Sequence, residues 1–196
     1  MTGKRQYRMG VRAQRSEATA QRIRMAALER FLSRSYDEVT LGEIAAAAGV
    51  TVPTLIAHFG RKEDLFAAAL EDWGGRMIEF REEAPAGDHA GAIRNLIEHY
   101  DAAGDRILHL LAEEDRFPSV RAITDEGRKF HRNWVERVFE PSLCALRGAR
   151  REQLVVQLIA ASDLSLYKVV RIDMGLSRGK TEAVIVGMVD ALIGVS

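Results

Sequence analysis

Residues 40–66 read TLGEIAAAAGVTVPTLIAHFGRKEDLF, and this stretch decides the fold. Thr40 precedes an apolar-periodic run and Glu43 stands three residues on. In that arrangement the hydroxyl accepts from the Glu43 amide while the carboxylate reaches back to the Thr40 amide, so a helix is expected from Leu41. Ile44, Ala45 and Ala48 share one face of it, and the alanine run 45–48 joins high helix propensity to little bulk, which lets another helix approach closely. Gly49 supplies the left-handed residue that ends the helix without a Cβ penalty. Thr51 reads as the cap of the next helix. Pro53 in the first turn has no amide to offer, so the cap must take the Thr54 amide. Leu55 and Phe59, four apart, face inward, leaving Val52, Thr54 and His58 outward.

Two short helices joined through a glycine turn describe a helix-turn-helix, whose second helix, here about residues 52–58, enters the major groove of DNA. Charge agrees with this. The chain is neutral as a whole, yet residues 1–62 carry 11 Lys or Arg against 5 Asp or Glu, a net +6, and the remainder carries 17 against 23, a net −6. A polyanion at the amino-terminal end is the partner this asymmetry fits. Lys4, Arg5, Arg8, Arg12 and Arg15 form a basic arm with almost no apolar periodicity, expected to lack fixed structure: either it tracks phosphates or a minor groove, or it is an inert tail. Lys62 is the stronger phosphate candidate, because it opens a helix whose exposed amides already favour an anion.

The remaining chain stays helical in pattern, with helices expected at 19–34, 41–48, 52–58, 62–83, 89–102, 105–114, 119–146, 150–175 and 180–194. Gly74 and Gly75 fall inside the fourth, as a hinge, a close-packing site or a break. In the last two helices apolar residues occupy nearly every side, which calls for burial on two faces, by a second subunit or by a central position in a monomer. One cysteine, Cys144, allows no intrachain disulfide and fits a reducing interior. The amino terminus has no apolar signal core, and Asp163 and Asp190 interrupt the apolar segments short of membrane-spanning length. A cytoplasmic protein without membrane association is expected. No phosphate-cradling glycine loop, zinc-protease motif or nucleophile elbow is present, and His58, His89, His99, His109 and His131 are scattered, so no catalytic residue, metal or cofactor is expected.

Residues 23–73 resemble the DNA-binding domain of TetR-type (tetracycline-repressor-like) transcriptional regulators. The resemblance is carried by the AAL and Phe31 of the first helix, Tyr36, the EIAAAAGV block, TLIAHF in place of the usual TLYxHF, and KEDLF opening the fourth helix. Three positions depart from the family pattern. Ile56 replaces a tyrosine that approaches DNA, Val52 and Pro53 replace a Lys-Gly pair and leave a surface better suited to thymine methyl groups, and Ser35 replaces a helix-closing glycine. The resemblance implies an all-α protein with an N-terminal three-helix helix-turn-helix head and a six-helix C-terminal ligand-binding and dimerisation body.

On that basis residues 1–18 are the flexible arm, 19–66 the DNA-binding domain and 67–196 the effector-binding and dimerisation domain. Thr40, Thr51, Lys62 and His58 would hold phosphates, and Val52, Pro53 and Thr54 would face base edges. The family's effector pocket would fall on Trp73, Met77, Tyr100, Phe117, Phe130, His131, Trp134, Asp163 and Tyr167, with His99 a further polar anchor. Expected partners are double-stranded DNA bearing a palindromic operator, a second copy of the chain through the last two helices, and a small-molecule effector of unknown identity that releases a repressor. The rival readings are a helical small-molecule-binding dimer without DNA recognition and an enzyme housed in the body.

Overall fold

The computed structural model describes the backbone of residues 3–82 and 86–194 and the side chains of 13–75 and 86–194. Met77, and the side chains of Lys4, Arg5, Arg8 and Arg12, lie outside the described residues. The described chain is helical throughout: α1 (Gly3–Phe31), α2 (Leu41–Ala47), α3 (Val52–Phe59), α4 (Lys62–Glu82), α5 (His89–Glu113), α6 (Pro118–Val138), α7 (Glu140–Leu143), α8 (Gly148–Ala161), α9 (Leu164–Tyr167) and α10 (Arg178–Ile193). A 3-10 turn, Tyr36–Glu38, precedes α2, and π-helical turns, Lys168–Asp173, follow α9. The chain divides into two compact units, residues 1–74 with 113–123, and residues 75–112 with 124–196.

In the first unit the expected caps form. Thr40 N donates to Glu43 Oε2 (3.1 Å) and Glu43 N to Thr40 Oγ1 (3.2 Å), closing the capping box. Those bonds, the Thr40 amide first and then Arg34, hold the Glu43 carboxyl below its usual range. Gly49 has φ 66°, and its neighbour Val50 N donates to Ala45 O (3.0 Å), which satisfies a carbonyl that the helix end leaves open. Thr51 Oγ1 accepts from Thr54 N (3.3 Å), the amide that Pro53 leaves as the choice. Thr40→Ala removes one half of the box and is expected to cost about 1 kcal/mol, read as a thermal midpoint lowered by roughly 2–4 °C.

The core of this unit is built by Ile23, Ala27, Phe31, Val39, Ile44, Ala45, Leu55, Leu65 and Phe66, all nearly or wholly buried. Phe66 stands edge-on to Phe31 (4.8 Å between ring centres) and to Tyr36 (5.1 Å), and Tyr36 also meets Phe117 (4.9 Å). Phe117 comes from the connection between α5 and α6. Polar contacts fix the same connection: Ser35 Oγ donates to Glu113 Oε2 (2.8 Å) and Arg116 pairs with Asp37 (3.3 Å). Ser35 itself sits at φ −55°, ψ 140°, extended rather than left-handed, so a serine is unstrained at this position.

Several expected boundaries move. The basic arm is not irregular: α1 runs from Gly3, so the segment expected to be flexible continues the first helix. The break expected near Gly104 is absent, and α5 runs through. A Cβ at Gly104 would lie 3.3 Å from Leu164 Cδ1 and 3.7 Å from Tyr167 Cε1, so this glycine serves close packing and does not end the helix. The expected 119–146 helix breaks at Phe139, and Pro141 enters the first turn of α7. The 150–175 helix breaks at Ser162, where Asp163 caps α9 by accepting from Ser165 N (2.8 Å). Gly74 and Gly75 do not interrupt α4, and among the described residues nothing lies within 4 Å of a Cβ at either, which sets aside a break and close packing.

The second unit buries Ile93, Leu96, Ile97, Trp134, Val135, Val138, Phe139, Leu143, Val155, Leu158, Ile185 and Val189 in one cluster drawn from α5, α6, α7, α8 and α10. Ion pairs of Arg94 with Glu182 (3.0 Å) and of Arg178 with Glu98 (3.1 Å) and Asp101 (3.8 Å) join α5 to α10, and His89 Nε2 hydrogen-bonds Asp190 Oδ1 (2.8 Å). One expectation fails on composition. The helical run 148–173 contains an 18-residue window of mean hydropathy 1.3, long and apolar enough to cross a membrane by those measures, where the sequence reading found none. Its apolar residues divide between the core (Val155, Leu158, Ala161, Leu164, Tyr167, Val170) and exposed positions (Val156, Val169, Ile172), so a single chain buries one part of this surface and leaves the other open.

Candidate nucleic-acid interface

The axes of α2 and α3 cross at 101°, within the range of a helix-turn-helix. Leu55 on α3 and Ile44 on α2 are fully buried, which fixes which side of α3 faces outward. Pro53, Ile56 and Ala57 are exposed, and Ile56 retains 47% of its surface. Three and four residues apart, they share one face on the far side from Leu55. Val52, Thr54 and His58, expected to be the outward residues, are half-buried at its flanks, and Phe59, expected inward, is half-buried as well. The sequence reading missed Ile56 and Ala57 as surface. The signal was present in their spacing from Pro53, but the family comparison treated Ile56 only as a lost tyrosine.

The turn between α3 and α4 presents the cationic part of the site. Arg61 is 80% exposed at its side chain, with Nε 3.6 Å from Asp64 Oδ2. Arg61 N donates to the same carboxylate (3.2 Å), so Asp64 caps the start of α4. Lys62 opens α4 as expected, and its side chain is engaged within the chain. Its ammonium donates to the Tyr36 carbonyl oxygen and lies over the Tyr36 ring, 4.4 Å from its centre. Burial draws its pKa below the ordinary lysine value, against the pull of Asp37, Glu63 and Glu43. Burial and the Glu63 charge in turn push the Tyr36 hydroxyl up to about 12. Thr40 and Thr51 are exposed, and each hydroxyl has a second bond beside the cap: Thr40 Oγ1 donates to Glu43 Oε2 (3.1 Å), and Thr51 Oγ1 bonds Thr54 Oγ1 (2.9 Å).

Residues 23–69 match the family model described as bacterial regulatory proteins, tetR family. Through this segment the chain resembles TetR-family regulators. Over 90 residues the chain is 34% identical to the HTH-type transcriptional regulator AcrR of Shigella flexneri, a match that spans 44% of this chain and 41% of that protein. Over 89% of the chain it is 25% identical to the HTH-type transcriptional repressor SCO4008 of Streptomyces coelicolor, covering 87% of that repressor. The fold is shared with the crystal structure of a TetR-family transcriptional regulator from Streptomyces coelicolor (TM-score 0.72, 24% identity, 91% of this chain and 82% of that one). A TetR-family structure from Mesorhizobium loti is similar at TM-score 0.66 and 18% identity, over 92% of this chain and 98% of that one.

The residues expected to line a TetR-family effector pocket fall in both units. Trp73 and Phe117 belong to the unit that contains the head, and Tyr100, Phe130, His131, Trp134, Asp163 and Tyr167 to the other. Within the second unit, Tyr100 and Tyr167 meet at 5.2 Å and His131 stacks on Trp134 at 5.6 Å. A buried polar chain runs through them: Tyr100 Oη donates to Ser162 O (3.1 Å), and Ser162 Oγ bonds His131 Nε2 (3.2 Å). Tyr167 Oη donates to Asp101 Oδ1, which also accepts from Arg171 Nε (3.1 Å), and burial with that carboxylate pushes the Tyr167 hydroxyl up to about 12. His99 is buried beside Tyr100, Phe130 is half-buried, and Asp163 is engaged as the α9 cap. Among the described residues no group of three or more His, Cys, Asp or Glu is placed to hold a metal ion.

Proposed function

We propose that the chain is a DNA-binding transcriptional repressor that acts in the cytoplasm as a homodimer on a palindromic operator and is released by a small-molecule effector. The observation that supports it most is the head itself: two capped helices crossing at 101° with a bare face on the second, in a segment that matches the TetR family. In this reading α3 enters the major groove, Thr40, Thr51, His58 and Lys62 hold phosphates with Arg61 added to them, and Val52, Pro53 and Thr54 approach base edges. To reach a phosphate, Lys62 exchanges the Tyr36 carbonyl for it. SCO4008, similar over most of its length, is described as a repressor, which favours that sign of regulation.

The dimer is supported by a surface that one chain leaves uncovered. Val156 on α8 and Val184 and Met188 on α10 are 51%, 39% and 42% exposed, and the π-helical turns add Val169 and Ile172. A second copy would cover them and set two heads on one twofold site. The effector acts by population shift: it binds more tightly to the form with low operator affinity, and only that difference moves the equilibrium. The aromatic residues around Tyr100, His131, Trp134 and Tyr167 supply the apolar walls and few polar groups that such a ligand would use.

Titration of random-sequence duplex at rising salt tests the docking. Affinity is expected to fall steeply, and Arg61→Ala and Lys62→Ala each to weaken all duplexes alike and flatten the logarithmic salt slope by about one. Salt-independent affinity, or none, would favour the helical ligand-binding dimer that has lost DNA recognition.

A further inference from the structure

The exposed face of α3 carries no hydrogen-bonding side chain. The helix reads VPTLIAHF, with no Arg, Lys, Asn, Gln, Asp or Glu; its polar side chains, Thr54 and His58, are half-buried at the flanks, and the Thr54 hydroxyl is bonded to that of Thr51 (2.9 Å). Its outermost residues are Pro53, Ile56 and Ala57, and Ile56 leaves nearly half its surface open although the core beneath is complete, Leu55 being wholly buried. The open half of the Ile56 side chain adds nothing to the packing of the head, and it lies on the face of α3 turned away from Leu55.

We propose that Ile56, flanked by Pro53 and Ala57, is a specificity-determining residue that reads thymine C5-methyl groups in the major groove, so that each operator half-site carries thymine at the base pair facing Ile56. The inference rests on the DNA-binding reading above and deepens it. The floor of the major groove offers hydrogen-bond donors and acceptors at guanine, adenine and cytosine, and one apolar group, the thymine methyl. An apolar face pressed on guanine O6 and N7 or on cytosine N4 strips those groups of water and returns no partner. Pressed on a methyl it buries carbon against carbon. Discrimination therefore comes from both sides, by attraction to thymine and by rejection of a G·C pair.

Replacing thymine with deoxyuridine removes that methyl and nothing else. The intact chain is titrated with its selected operator duplex and with duplexes in which each thymine in turn is deoxyuridine, in both half-sites together. The removal is expected to weaken binding about fourfold per half-site, hence about fifteenfold for a symmetric pair, at one or two adjacent positions. With Ile56→Ala, whose thermal unfolding should match that of the parent because the side chain is exposed, the thymine and deoxyuridine duplexes are expected to bind alike. A flat response at every thymine, an operator without thymine in its half-sites, or an undiminished methyl effect in Ile56→Ala would each overturn the inference while DNA binding stands. Absence of any duplex binding would overturn both this inference and the regulatory reading.

Discussion

Met188→Asp is expected to turn the dimer into a monomer and to cut affinity for a two-half-site operator by roughly a hundredfold or more. Met188 lies four residues from Val184 on the outward side of α10, while Thr181, Ile185 and Val189 bury the inward side, so the change leaves the core of the single chain untouched. In the proposed interface, however, a carboxylate is taken from water with no cation to meet it, a cost of several kcal/mol when two symmetry-related copies face each other. Loss of the dimer separates the two heads, and each half-site is then bound without the effective concentration that linkage supplies. Sedimentation velocity reads the first effect and operator titration the second. A Met188→Asp protein that stays dimeric would move the interface elsewhere.

Phe66→Ala is expected to cost about 3–5 kcal/mol, the largest loss from any single substitution in the head. Phe66 is 1% exposed and joins α4 to the Phe31 and Tyr36 rings, so its removal opens a void that these two packed rings cannot close by small shifts. For a unit of this size the loss lowers its melting midpoint by more than about 10 °C. The proposed dimer surface on α8 and α10 belongs to the other unit, so on that proposal sedimentation should still report a dimer while DNA binding fails at moderate temperature. Unchanged melting in Phe66→Ala would contradict the packing described.

What was legible in the sequence is what local chemistry decides. Thr40 with Glu43, Gly49, and Thr51 with Pro53 each act within four residues of themselves, and the structure has each of those caps and turns as read. The remainder depended on partners distant in sequence. Gly104 looked like a helix break because nothing local reveals that Leu164 and Tyr167 press against it. The bond of Lys62 to the Tyr36 carbonyl had no local signal, because the two lie twenty-six residues apart. The outward face of α3 was misjudged by one register: inward Leu55 was right, but taking Phe59 as equally inward rotated the assignment toward Val52, Thr54 and His58 and away from Ile56. The grouping of residues 113–123 with the head had no local signal, since Glu113, Arg116 and Phe117 find Ser35, Asp37 and Tyr36 only in the folded chain.

The central claim, that this chain reads an operator as a twofold dimer through α3, is tested most directly by selecting bound sequences from a random duplex pool and titrating the winner at several salt concentrations. The account predicts a palindrome with two equivalent half-sites and an affinity that falls steeply with salt. No enriched sequence from a folded, dimeric protein would contradict it.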